Sequence, residues 1–188
     1  MILTRSIRRS AFALATLALL AGTASAQGGG QPAARRAPAS PRDSVVTTIS
    51  GAAINVNYGR PSKRGRVVFG GLSDMKWGTV WRTGANEATH FTTSKALQFG
   101  EVSVPAGTYT LFTKIEENGK WELIVNTQTK QWGTAYDGSK DLVRIPLTVS
   151  KDEPVVETME ITVKPAGKGG QLAITWDSYK AVAGFQVK

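Results

Sequence analysis

Three arginines, Arg60, Arg66 and Arg82, fall within 23 positions of a glycine-rich stretch, residues 59–90. A guanidinium is a planar, permanently charged fork that can clamp a carboxylate or phosphate with two parallel hydrogen bonds. Asn86 and Thr89 add neutral hydrogen-bonding groups nearby, and Trp77 or Trp132 can supply an apolar wall. If the chain gathers these residues, they suit a small anionic molecule or a saccharide. Glu87 lies in the same run and has two readings. It either pairs with Arg82 in an ion pair that pins the loop, or it works with the arginines as the carboxylate of a hydrolase. Like charges brought together repel unless an anion or Glu87 compensates them.

Other chemistries lack their parts. The chain has no cysteine and one histidine, His90. That removes thiol nucleophiles, disulfides, zinc ribbons and His₃ metal centres. His90 alone would need an orienting partner to act as a base; a plain strand or surface histidine is the simpler reading. Glu87 and Asp74 would make a glycosidase pair only at a defined separation. No G-x-S-x-G motif is present, and no Gly-rich loop opens a helix. Asp137 and Asp141 lack the spacing of a calcium loop. Asp137-Gly138 reads as a turn. No cofactor or metal is expected.

The elements that must hold these residues read as strands. Period-two alternation runs through Ile54–Tyr58, Leu97–Val104, Tyr109–Leu111, Trp121–Val125, Val143–Val149, Val155–Val163, Leu172–Trp176 and Phe185–Val187. Such alternation marks strands with one buried face. Pro105-Ala106-Gly107, Asn118-Gly119 and Ala166–Gly170 supply turns. No run of ten or more residues carries a helical period. The expected fold is all-β, an antiparallel sandwich of jelly-roll-like form, with a closed barrel as the alternative.

Before that domain, Arg5, Arg8 and Arg9 precede the apolar run Ala11–Ala21, and Ala24-Ser25-Ala26 follows. This is the pattern of a secretory signal peptide, residues 1–26. Eleven apolar residues are too few to span about 30 Å of hydrocarbon. The protein is therefore expected to be exported to the periplasm or beyond, with a mature chain starting at Gln27 and no membrane span. Residues 27–42, rich in Gly, Pro, Ala and Arg, read as a disordered tether. The whole chain has a formal charge of +9. Six of its 23 basic residues and none of its 14 acidic ones precede residue 43, so the domain, residues 43–188, is only +3. That charge does not support a nucleic-acid partner.

Several runs together resemble a known family. They are Tyr58-Gly-Arg-Pro61, Gly65-Arg66 with Phe69-Gly70, and Trp81-Arg-Thr-Gly-Ala-Asn-Glu-Ala-Thr89. Pro105-Ala-Gly-Thr-Tyr109, Trp132-Gly133 and Trp176 fit as well. The chain from about Ser40 onward is similar to domain of unknown function 2911, a family of exported bacterial proteins. The resemblance implies an exported β-rich domain whose most characteristic part is the 81–89 run. It carries over no catalytic residues.

Overall fold

The computed structural model describes residues 39–188, and these form two packed antiparallel sheets. The expected signal peptide and most of the expected tether lie outside the described residues. The first sheet is built from β1 (Arg42–Ile49), β2 (Ala52–Gly59), β3 (Val80–Trp81), β4 (Thr89–Thr93), β7 (Gly107–Lys114), β8 (Glu122–Asn126) and β9 (Asp141–Pro146). Its order is β1-β2-β4-β7-β8-β9, with β3 also paired to β7. The second contains β5 (Leu97–Phe99), β6 (Val102–Val104), β10 (Thr148–Ala166) and β11 (Gly169–Val187), in the order β10-β11-β5-β6. This second sheet curls into a half-barrel that does not close, so the sandwich holds and the closed barrel does not. The described residues contain no α-helix, only a 3₁₀ turn at Gly138–Lys140.

Alternation explains most of these strands. In β2, Ala52, Ile54, Val56 and Tyr58 are buried while Ala53 and Asn55 face water. Three features depart from the sequence reading. β1 begins at Arg42, so the end of the proposed tether belongs to the sheet. Just before it, the carbonyls of Ala39 and Pro41 accept hydrogen bonds from Arg64 Nη2 (2.7 Å) and Arg60 N–H (2.8 Å). The stretch 59–90 is not one loop, because β3 and the start of β4 lie within it. And residues 169–187 form one long strand, with Asp177 at φ 54° in its middle.

The core is rich in aromatic rings. Trp81 on β3 stacks on Trp176 of β11 with centroids 5.9 Å apart, and Phe69 meets Trp81 edge-on at 6.1 Å. Trp121 stacks on Tyr179 at 5.5 Å. Pairs of this kind add about 0.5–1.5 kcal/mol each beyond the area they bury. They tie residues 68–81 into the interior of the sandwich.

The segment after β2 joins the two sheets. Tyr58 Oη accepts the N–H of Ile161 on β10 at 3.0 Å and donates to the same residue's carbonyl at 3.4 Å. Burial pushes the Tyr58 phenol above its ordinary value of 10.0, so it remains a donor. Arg60 Nε donates to Met159 O at 3.1 Å, and Met159 N–H donates to Pro61 O at 2.9 Å. Lys63 N–H donates to Glu157 O at 2.7 Å, and the Lys63 ammonium pairs with Asp177. The run from Tyr58 to Lys63 thus covers the edge of β10 from Glu157 to Ile161, where unpaired backbone groups would otherwise invite association. Replacing Tyr58 by Phe leaves the Ile161 N–H and carbonyl without this partner. The expected loss is about 1–3 kcal/mol in a chemical denaturation curve; a loss within error of zero would show that the edge needs no such cover.

Candidate functional site

β7 makes the site possible. Along one flank it pairs first with β4, through Thr89↔Leu111 to Thr93↔Gly107, and then with β3, through Val80↔Lys114 and Trp81↔Thr113. The chain between β3 and β4, Arg82 to Ala88, must therefore leave the sheet and return within seven residues. It does so with two non-glycine residues in the left-handed region, Thr83 at φ 51° and Asn86 at φ 65°. For a β-branched residue this is a strained conformation.

The strain is held by neighbours. Thr83 is fully buried, its hydroxyl bonds that of Thr113 at 2.7 Å, and its carbonyl accepts from Thr89 Oγ1 at 2.8 Å. From the far side, Gly133 N–H donates to Asn86 O at 3.0 Å, and Glu87 forms a backbone bridge with Trp132. Gly84 itself does not adopt a positive φ. It is glycine because a side chain would press on Thr89 Oγ1 at 2.8 Å and on Gly59 O at 3.0 Å. Gly59 is matched to it, since a Cβ there would overlap the carbonyl oxygen of Ala85. Two separate sequence runs, Tyr58–Pro61 and Trp81–Thr89, thus close on each other through their glycines.

This arrangement brings together Arg66, Arg82 and Asn86 around a pocket of about 150 Å³. Asp74, Met75 and Trp176 line it too. The Arg66 guanidinium is braced by the carbonyls of Lys63 (2.9 Å) and Ser62 (2.7 Å). Asn86 Nδ2 donates to Ser40 O at 3.3 Å. Arg82 meets Asp74 through one contact, Nη2 to Oδ2 at 3.3 Å. Its Nε is buried and has no partner among the described residues.

The other expected residues go elsewhere. Arg60 joins the sheets through Met159 and pairs with Asp43 at 3.1 Å. Thr89 is fully buried and spends its hydroxyl on Thr83. Trp77 packs against Trp121 and Tyr179, at centroid distances of 6.5 and 6.2 Å, and borders a different cavity with Glu116 and Asn118. Trp132 is 53% exposed and does not line the arginine pocket. The Arg82–Glu87 pair is not formed. Glu87 instead binds Arg42 Nη1 at 3.2 Å, and Arg42 also donates to Asn57 Oδ1 and to Ala88 O. Its own backbone N–H, then Arg42, hold the Glu87 carboxyl below its ordinary value. Glu87 and Asp74, considered as a glycosidase pair, are thus paired to different arginines. Asp137 caps the 3₁₀ turn, and Asp141 accepts from Tyr136 at 2.6 Å and Arg144 at 2.8 Å. Among the described residues no group of three or more His, Asp or Glu side chains is placed to hold a metal. No helix of the described residues is long and apolar enough to cross a membrane.

Sequence reasoning missed Arg42 as the partner of Glu87, because Arg42 was placed in the tether. It also missed Asp74 as the partner of Arg82, since the seven residues between them carry no periodic signal. His90, on β4, accepts the Lys130 N–H at 3.4 Å through Nε2. Burial, then the charge of Arg42, push its imidazole below the ordinary value of 6.5.

An antiparallel β-sandwich with an arginine-lined pocket between the β2–β3 and β3–β4 connections is what these features define. A family model described as "Protein of unknown function (DUF2911)" matches residues 40–185, and the chain belongs to that family. No curated protein and no solved structure matches it.

Two outcomes test the geometry. Gly59→Ala is expected to lose about 1–3 kcal/mol in denaturation through overpacking against Ala85. Gly184→Ala has nothing within 4 Å of its new Cβ and is expected to change little. Equal effects would refute the close approach. For His90, the unfolded chain binds the proton more readily than the folded one. Its neutral form therefore favours the fold fully above pH 6.5, and that contribution is lost as pH falls through the lower folded value. The melting temperature is expected to fall below that pH in the wild type and to fall less in His90→Gln. Equal slopes for the two would exclude the histidine as the cause.

Proposed function

We propose that this chain is an exported, non-catalytic β-sandwich that binds a small carboxylate- or phosphate-bearing molecule, an acidic sugar included, between Arg66, Arg82 and Asn86. The observation that carries this reading is the buried Arg82 Nε, which has no partner among the described residues. A desolvated cationic donor left unsatisfied costs about 1–3 kcal/mol or more. A bound anion would relieve that cost by taking Nε and a neighbouring Nη together. The pocket, about 150 Å³, has room for roughly five waters' worth of ligand, so the ligand's anionic group is small. The loop strain at Thr83 and Asn86 accords with a binding role, since strained residues cluster at ligand clamps.

Hydrolysis by Glu87 with the loop arginines is less well supported. Glu87 is turned to Arg42 and does not line the pocket. Asp74, which does, is already engaged by Arg82. Export rests on the leader pattern alone, and N-terminal sequencing of secreted protein would test it.

Thermal shift at constant ionic strength, with acetate or inorganic phosphate replacing chloride, tests the binding. The wild type is expected to be stabilised by RT ln(1 + c/Kd), where c is the anion concentration, a gain that keeps rising with c. Arg82→Gln and Arg66→Gln, checked for fold by circular dichroism, are expected to lose the shift. A shift of equal size in all three proteins, or none in the wild type, would reject the site.

A further inference from the structure

Arg82 and Asp74 line two cavities at once. The second, of about 220 Å³, has Val80, Phe112 and Tyr136 among its walls. The two cavities share Arg82 and Asp74 and no other lining residue. Neither alone reaches the range of about 300–1,000 Å³ usual for small-molecule sites, whereas together they hold roughly 370 Å³.

The second cavity differs in character from the first. Phe112 and Tyr136 meet at 61° with centroids 4.8 Å apart, which forms a rigid aromatic corner. Tyr136 cannot swing away freely, because its hydroxyl donates to Asp141 at 2.6 Å and accepts from Arg144 at 3.0 Å. Burial and Asp141 push that phenol up to about 12, so it stays uncharged. Thr79 and Thr134 add hydroxyl groups to its lining beside that of Tyr136. A flat apolar body fits such a corner, and a second charge does not.

The Arg82–Asp74 pair itself is weak. A strong charge-assisted bond is about 2.7–2.9 Å, while Asp74 reaches Arg82 at 3.3 Å through one oxygen. The Asp74 side chain is 41% exposed, and Arg82 only 20%. Asp74 can therefore leave toward water while Arg82 stays. Its segment is bounded by Gly70 and Gly78, both at positive φ.

Building on the anion-binding reading, we infer that the ligand is a carboxylate carried on a flat apolar ring, which spans both cavities. Its carboxylate takes the Arg82 guanidinium, its ring lies against Val80, Phe112 and Tyr136, and Asp74 is an internal stand-in for that carboxylate, displaced on binding.

Isothermal titration at constant ionic strength tests this with sodium acetate, sodium benzoate and benzyl alcohol. The proteins are the full mature chain, Asp74→Asn and Thr134→Trp. Benzoate is expected to bind the wild type at least about tenfold more tightly than acetate, and benzyl alcohol not to bind. Asp74→Asn removes the competing charge and is expected to bind benzoate several-fold more tightly. Thr134 is exposed, so Thr134→Trp can fill the ring cavity without disturbing the core; it is expected to bring benzoate down to the acetate level. If acetate binds through Arg82 but benzoate gains nothing, the two-cavity ligand is wrong and the anion site stands. If no anion binds any of the proteins, both readings fall. Weaker binding by Asp74→Asn would overturn the displacement, and unchanged benzoate affinity in Thr134→Trp would overturn the ring site.

Discussion

The hydroxyl of Tyr58 lies between the N–H and the carbonyl of Ile161, at 3.0 and 3.4 Å, where a neighbouring strand would otherwise be. Tyr58 belongs to the first sheet and Ile161 to the second. Through this contact and those of Arg60, Pro61 and Lys63, the chain leaving β2 completes the hydrogen bonding of β10 from Glu157 to Ile161. The curled sheet does not close on itself, and this segment covers part of its open edge. Backbone groups buried without partners are costly, so this cover is a condition for packing the two sheets at all.

The position of the arginine pocket follows from that cover. With residues 58–63 held against β10, Gly59 is brought against Ala85 and Gly84. The excursion between β3 and β4 then has little freedom. Its strained turns at Thr83 and Asn86 persist because Thr113, Thr89 and Gly133 each take a hydrogen bond from or give one to the loop. Arg82, first in that excursion, is thereby fixed with its Nε inside the protein. A flexible surface arginine would instead satisfy its fork with water.

Charge pairing is divided among the elements in a consistent way. Arg42 binds Glu87, Arg60 binds Asp43, and Lys63 binds Asp177. Each joins segments far apart in sequence, so each contributes specificity of assembly as well as the small energy of a part-exposed pair. Arg82–Asp74 is the exception in the buried nitrogen of its arginine, Nε, which has no partner among the described residues. That contrast separates the arginines that join distant segments from Arg82, on which the proposed anion site rests.

Much of the fold was legible because alternation reports directly on which face of a strand is buried. Ile54-Val56-Tyr58 and Leu172-Ile174-Trp176 read as strands in sequence and are strands in the structure. β1 was not legible, since it is an edge strand with Val46 74% exposed and polar neighbours; its amphipathic signal is diluted. Of the candidate site, Arg66, Arg82 and Asn86 were identified as types and do converge, while Arg60, Thr89 and Trp77 serve packing and sheet-joining. The sequence by itself determined an all-β chain, the motif runs and a concentration of arginines in residues 59–90, because composition and period-two spacing are local properties. Which carboxylate each arginine meets was decided only by tertiary structure. Arg42 reaches Glu87 across 45 positions and Lys63 reaches Asp177 across 114, and separations of that size are set by strand order and register, which local sequence does not encode.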